Sequence, residues 1–163
     1  MAIESLRKHS LFGGLSREAL EGIAPLLKEK KCAKGEFVVR EGDSGGMLYF
    51  ITDGRVEVLK AAGRGENVEQ ERLAVLKEGD TFGEMELIDI QCCAASIRAV
   101  TDVRLLTLSN MDMYKIYRED VEAFALIVMN MAREISRRLR RMDALLASSL
   151  YSEESRKSKA GDR

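Results

Sequence analysis

The sequence predicts an α+β fold: an antiparallel β-roll, jelly-roll-like and in effect a double-stranded β-helix, between N-terminal helices and a long C-terminal helix. Three observations lead there. Over residues 31–109, short runs rich in Val, Ile, Phe and Tyr alternate with glycine-centred turns. Ahead of them, residues 3–30 carry apolar groups at roughly helical spacing. Behind them, no glycine or proline occurs between Ser109 and Gly161.

In the first segment Leu6, Leu11, Leu15, Leu20, Ile23, Ala24 and Leu27 supply the helical stripe, interrupted by Gly13 and Gly14. Ser16 followed by Glu18 and Ala19 is an N-cap for a second short helix, and Pro25 bends the chain near its end. Residues 1–30 are thus expected to be helices packing on the roll. The strand runs are Glu36 to Arg40, Met47 to Thr52, Arg55 to Lys60, Glu69 to Leu76, Ala95 to Val100 and Val103 to Ser109. Between them Glu41 to Gly46, Asp53-Gly54, Gly63 to Asn67 and Glu78 to Asp80 read as turns. Asp53-Gly54 carries the signature of a two-residue hairpin, because such turns need positive φ values. Lys60 to Asn67 reads as a hairpin tip. Short strands at this spacing close an antiparallel roll more readily than they form an open sheet.

Residues 110–150 predict the long helix, capped by Asn110 or Asp112. Val121, Ala125, Val128, Ala132, Ile135, Leu139, Met142 and Leu146 alternate steps of four and three, the seam of a pairing helix. Phe124, Met131 and Leu145 widen it on one side. Such a helix outruns the roll, so its surplus seam is expected to meet a second copy, giving a homodimer. Arg133, Arg137, Arg138, Arg140 and Arg141 spread around the rest of the circumference and read as a solvated flank. Residues 151–163 are polar and charged and read as a disordered tail.

Composition narrows function. With 26 basic and 27 acidic side chains, the formal charge of -1 gives no whole-molecule field toward nucleic acid or an anionic membrane. No run approaches the length of a membrane span, and the start MAIESLRKHS has no signal-peptide pattern, so a cytoplasmic protein is expected. Cys32, Cys92 and Cys93 form a poor disulfide framework and fit a reducing compartment. No nucleophile with a base, no metal-ligand set and no cofactor loop is discernible, and His9 is the one histidine, so no enzyme is expected.

One stretch departs from strand grammar: residues 79–99, GDTFGEMELIDIQCCAASIRA. Phe82-Gly83-Glu84 leads into Met85-Glu86-Leu87-Ile88, a short helical turn, before a strand resumes near Ala95. Free backbone N–H groups at such a turn suit an anion. With its flanks, this stretch resembles the cyclic nucleotide-binding domains of the bacterial catabolite activator and of cyclic-AMP-dependent kinase regulatory subunits. Lys34-Gly35-Glu36 to Asp43, Leu48 to Ile51 and Gly54 to Val58 look like the family's first strands. Gly79-Asp80 to Glu84 with Leu87 looks like the start of its phosphate-binding cassette, and Ala94-Ala95-Ser96 like the end.

The resemblance implies a ligand, cAMP or cGMP, held by Gly83, Glu84, Met85, Cys93, Ala94 and Ser96. Glu84 would accept the ribose 2′-hydroxyl, and backbone N–H groups near Gly83, Glu84 and Met85 would face the phosphate. The family's phosphate-pairing arginine lies nine residues after the glutamate, and here that position is Cys93. An unpaired buried phosphate costs about 3–5 kcal/mol, on the order of a hundredfold to several thousandfold in affinity. Glu86 and Asp89 add negative charge, and strand parity puts Arg98 on the face opposite Cys93.

Three functions follow as expectations. One is a cyclic nucleotide-type regulatory sensor with weak or absent nucleotide binding. Another is a degenerate domain acting as a dimerisation or docking module. The third is a thiol sensor through Cys92 and Cys93. The family's helix-turn-helix would follow the long helix, and residues 151–163 are too few for one, so DNA binding by that route is not expected. Signalling would then run through dimer geometry or a separate effector protein.

Overall fold

The computed structural model describes residues 6, 7, 9–64 and 67–161. Its chain order begins with a 3-10 turn at Ser10–Phe12, helix α1 (Arg17–Ile23) and a second 3-10 turn at Ala24–Leu26. Strands β1 (Lys28–Cys32), β2 (Phe37–Val39), β3 (Met47–Asp53), β4 (Arg55–Arg64), β5 (Asn67–Lys77) and β6 (Thr81–Phe82) follow. Helix α2 (Glu84–Asp89) then precedes β7 (Ser96–Ala99), β8 (Val103–Ser109), α3 (Asn110–Glu119) and α4 (Val121–Gly161).

The strands form two four-stranded antiparallel sheets, ordered β1-β8-β3-β6 and β2-β7-β4-β5. β3 and β8 explain how they stack. Tyr49 and Ile51 of β3, with Val103 and Leu105 of β8, join Val38, Val56, Ile97 and Ala99 in the core between the sheets. The alternate residues Leu48, Phe50, Leu106 and Leu108 face outward into a second core with Leu11, Phe12, Leu20, Ile127 and Met131. Burial on both faces is why β3 reads as a continuous apolar run.

The six strand runs read from sequence are present, and two strands were not legible. Lys28 to Lys30 belong to β1, paired with β8 from Lys28↔Thr107 to Cys32↔Val103, not to the helical segment. Its sequence, KEKKC, has the charge typical of an edge strand rather than strand propensity. β6 is two residues long, too short for any periodicity. Asp53-Gly54 makes a tight turn but no hairpin, since β3 and β4 lie in different sheets. Gly54 carries the chain across that corner with φ 87°. The hairpin is β4–β5, paired from Arg55↔Lys77 to Arg64↔Asn67, and Gly65 and Glu66 at its tip lie outside the described residues.

The C-terminal segment is two helices, not one. Ser109, rather than Asn110 or Asp112, caps α3: its Oγ accepts from the Asp112 N–H while the Asp112 carboxylate accepts from the Ser109 N–H, a reciprocal capping box. At Asp120 the backbone leaves helical geometry (φ -146°). The Asp120 carboxylate accepts from the Ala123 N–H at 2.9 Å, capping the start of α4. Ala123, Ile127 and Met131 bury one face of α4, so Met131 faces the body of the domain instead of widening the seam. Asn130 on that face donates to the carbonyls of Leu11 and Gly13 at 3.0 and 2.9 Å, fixing the helix against the N-terminal turn. Val121, Leu139, Met142 and Leu146 of the seam are exposed. The helical backbone continues to Gly161, through the segment read from sequence as a disordered tail. Among the described residues no helix is long and apolar enough to cross a membrane.

Candidate functional site

The cassette is built where β6 meets α2. Phe82 stacks on Tyr49 with ring centroids 4.7 Å apart, which anchors the strand end against β3. Gly83 then turns with φ 84°, and a Cβ there would stand 2.2 Å from the Met47 carbonyl oxygen. Only glycine satisfies both the left-handed backbone and the close approach. Glu84 follows as the first residue of α2, and the helix ends at Ile90, a β-branched residue with φ 57°.

The return strand of the cassette is tied to the β2–β3 loop. The Cys93 N–H donates to the Asp43 carbonyl at 2.8 Å, and the Gly42 N–H donates to the Cys93 carbonyl at 2.9 Å. Gly45 lies so close that a Cβ would meet the Gln91 carbonyl at 2.3 Å and the Glu86 Cβ at 2.5 Å. Ser96 Oγ accepts from the Glu41 N–H at 2.9 Å. Lys60 Nζ bridges Glu41 Oε1 and the Ala94 carbonyl, both at 2.6 Å.

Two contacts define the chemistry. First, Glu84 is 3% exposed, and its Oε1 accepts from Arg138 Nη1 of α4 at 2.7 Å. Arg138 Nη2 also donates to the Thr81 carbonyl, and Arg138 Nε stands 3.7 Å from Glu134 Oε1. The other oxygen of Glu84, Oε2, is buried without a hydrogen-bond partner. Burial pushes the Glu84 carboxyl above the usual carboxylate range, while Arg138 and its own backbone N–H pull it back. Second, Glu86 is half-buried, and its Oε1 accepts from the Ala94 N–H at 2.9 Å. The buried Cys93 thiol beside it is pushed up by burial and then by the Glu86 and Asp43 carboxylates.

Gly83, Glu84 and Met85 thus stand at the start of α2, where Met85 is exposed; Ala94 is tied to α2 through Glu86, Cys93 is tied to the β2–β3 loop, and the Ser96 hydroxyl is taken by the Glu41 backbone. Arg98 lies elsewhere, on Glu57 Oε1 at 2.7 Å, as strand parity implied. Arg138, read from sequence as part of a solvated flank, is the residue that sequence reasoning missed. A signal existed: the row Ala123, Ile127, Met131, Glu134, Arg138 runs down the buried face of α4 and turns from apolar to charged at the cassette.

With this geometry established, comparison with known proteins defines the class. The model of the cyclic nucleotide-binding domain matches residues 29–120. The chain is 32% identical over 133 residues to the cyclic AMP receptor protein of Thermus thermophilus, covering 82% of this chain and 58% of that protein. It is 38% identical over 86 residues to the cAMP-dependent protein kinase regulatory subunit of Emericella nidulans, covering 53% of this chain and 19% of that one. In structure it superimposes with TM-score 0.78 on a cyclic nucleotide-binding domain from Methylobacillus flagellatus, at 24% identity, over 90% of this chain and 81% of that one. The chain belongs to the cyclic nucleotide-binding domain family. It spans less than two thirds of the length of these two sequence relatives.

The Glu84–Arg138 pair makes a pH-dependent prediction. Removing the cation from a buried carboxylate leaves an uncompensated charge, so Arg138→Ala is expected to cost about 2–3 kcal/mol at neutral pH. An acid whose folded pKa is raised binds more protons folded than unfolded, so stability falls as pH rises from the unfolded toward the folded value. Arg138→Ala raises that folded value further. Its destabilisation, measured by urea unfolding, should therefore shrink as pH falls into the carboxylate range, whereas lost packing alone would cost the same at both ends.

Proposed function

We propose that the chain is a non-catalytic regulatory module of the cyclic nucleotide-binding type, whose cassette in its native sequence binds cyclic nucleotides weakly or not at all. The Glu86 contact carries this reading. Its carboxylate occupies the Ala94 N–H in the segment that closes the cassette, and the family's arginine position beside it is the neutral Cys93. An anionic phosphodiester entering there would lose a donor, meet a carboxylate and find no cation from residue 93. Relatives named as a cyclic AMP receptor and a cAMP-dependent kinase subunit support the regulatory class.

The same reading makes α4 a dimerisation element. The exposed Leu139, Met142 and Leu146 continue the seam spacing further along α4 than Ala123, Ile127 and Met131, which the domain buries, and an apolar row along one helix is most simply covered by its copy. A separate effector protein would then sense the geometry of the pair. The thiol alternative is weaker, because the buried Cys93 thiol is pushed up rather than toward the reactive thiolate.

Two measurements test this. In thermal unfolding, 1 mM cAMP or cGMP should leave the native chain unshifted, at a concentration where a micromolar ligand would add roughly 4 kcal/mol. The double variant Glu86→Ala, Cys93→Arg should gain about a hundredfold or more in affinity. A native chain stabilised as strongly as the double variant overturns the reading. In light scattering the native chain should have the mass of a dimer, and Leu139→Glu with Met142→Glu that of a monomer. Equal masses would remove α4 as the pairing element.

A further inference from the structure

We propose that the cassette takes an uncharged ribonucleoside, bound through its hydroxyls, in place of a cyclic nucleotide. This deepens the reading above and rests on it, since it supplies the ligand class for a site that repels a phosphodiester.

The polar interior of the cassette offers acceptors. Glu84 Oε2 is buried and has no donor, on a side chain that is 3% exposed. An ionised carboxylate only accepts, so its complement is a ligand O–H or N–H. Glu86 commits Oε1 to the Ala94 N–H and keeps a second oxygen as a further acceptor. A cyclic phosphodiester brings acceptors and a negative charge to this place, whereas a free 5′-hydroxyl brings a donor. The fixed charges agree. Glu84, Glu86 and Glu134 are set against Arg138 and Arg137, which pairs with Glu134 at 2.7 Å. Lys60 is matched by Glu41 at 2.6 Å. No guanidinium or ammonium is left over for a phosphate within this set.

The surface of the cassette offers apolar area. Met85, Ile88 and Ile90 on and just after α2 are 52%, 51% and 79% exposed. Ile90 also holds a left-handed backbone, φ 57°, that β-branched residues rarely adopt and that is retained mainly at functional sites. Hydroxyls for the buried Glu84 and the half-buried Glu86, with a flat apolar ring for exposed aliphatic and thioether side chains, together describe a nucleoside. Its ribose hydroxyls would donate to Glu84 Oε2, with Arg138 remaining on Oε1, and its 5′-hydroxyl to Glu86.

Varying the ligand and leaving the full chain intact avoids any doubt about folding. Thermal unfolding and titration calorimetry would compare adenosine, guanosine, cytidine and uridine with cAMP and cGMP, and then with 5′-deoxyadenosine and 2′-deoxyadenosine. At least one ribonucleoside should raise Tm at millimolar concentration, with cAMP and cGMP inert. Loss of the 5′- or the 2′-hydroxyl should weaken binding about ten- to a hundredfold, the worth of a hydrogen bond to a charged group. If no ribonucleoside binds and the cyclic nucleotides are also inert, this proposal falls and the regulatory reading stands. If cAMP or cGMP binds as tightly as the nucleosides, both fall. Equal affinity of adenosine and its deoxy analogues would overturn the assignment of the hydroxyls to Glu84 and Glu86.

Discussion

A carboxylate buried at the heart of the cassette has to find a positive partner, and here it finds one on the far helix. Glu84 is placed by the Phe82-Gly83 turn, which cannot shift because Gly83 packs on the Met47 carbonyl. Its cation, Arg138, lies 54 residues further along. Everything between must fold correctly for the two to meet at 2.7 Å: β7 and β8 close the roll, the Ser109 box starts α3, Asp120 redirects the chain, and Asn130 holds α4 to the N-terminal turn. The pair thus links the cassette to the helix on which Leu139, Met142 and Leu146 are exposed. A donor arriving at Glu84 Oε2 would act on the same carboxylate that holds α4.

The second carboxylate, Glu86, is what sets this cassette's polar contacts apart. A single hydrogen bond from the Ala94 N–H occupies that donor from within the chain, and residue 93, where the family's arginine would stand, is a neutral cysteine.

What the sequence revealed follows physical range. Local patterns were readable: the apolar run of β3, the Ser16 cap and the Gly83 turn each depend on residues a few positions apart. The roll and its two flanking helical regions followed from them. β1 was hidden because its sequence is charged and its identity as a strand comes from pairing with β8. The α3–α4 break was hidden because Asp120 looks like any surface acid until its carboxylate caps Ala123. At the site, Glu84 and Cys93 were legible through the resemblance to the family's cassette. Arg138 was not, because among Arg133, Arg137, Arg138, Arg140 and Arg141 only the three-dimensional path selects the one that reaches the cassette.

The hold of the Glu86 carboxylate on the Ala94 amide is central to the cassette. It is tested most directly by following the Ala94 amide resonance through the carboxylate titration range, from about pH 3 to 7, in the native chain and in Glu86→Ala. The amide shift should follow a carboxylate in the native chain and lie flat in the variant. The same titration in both would contradict it.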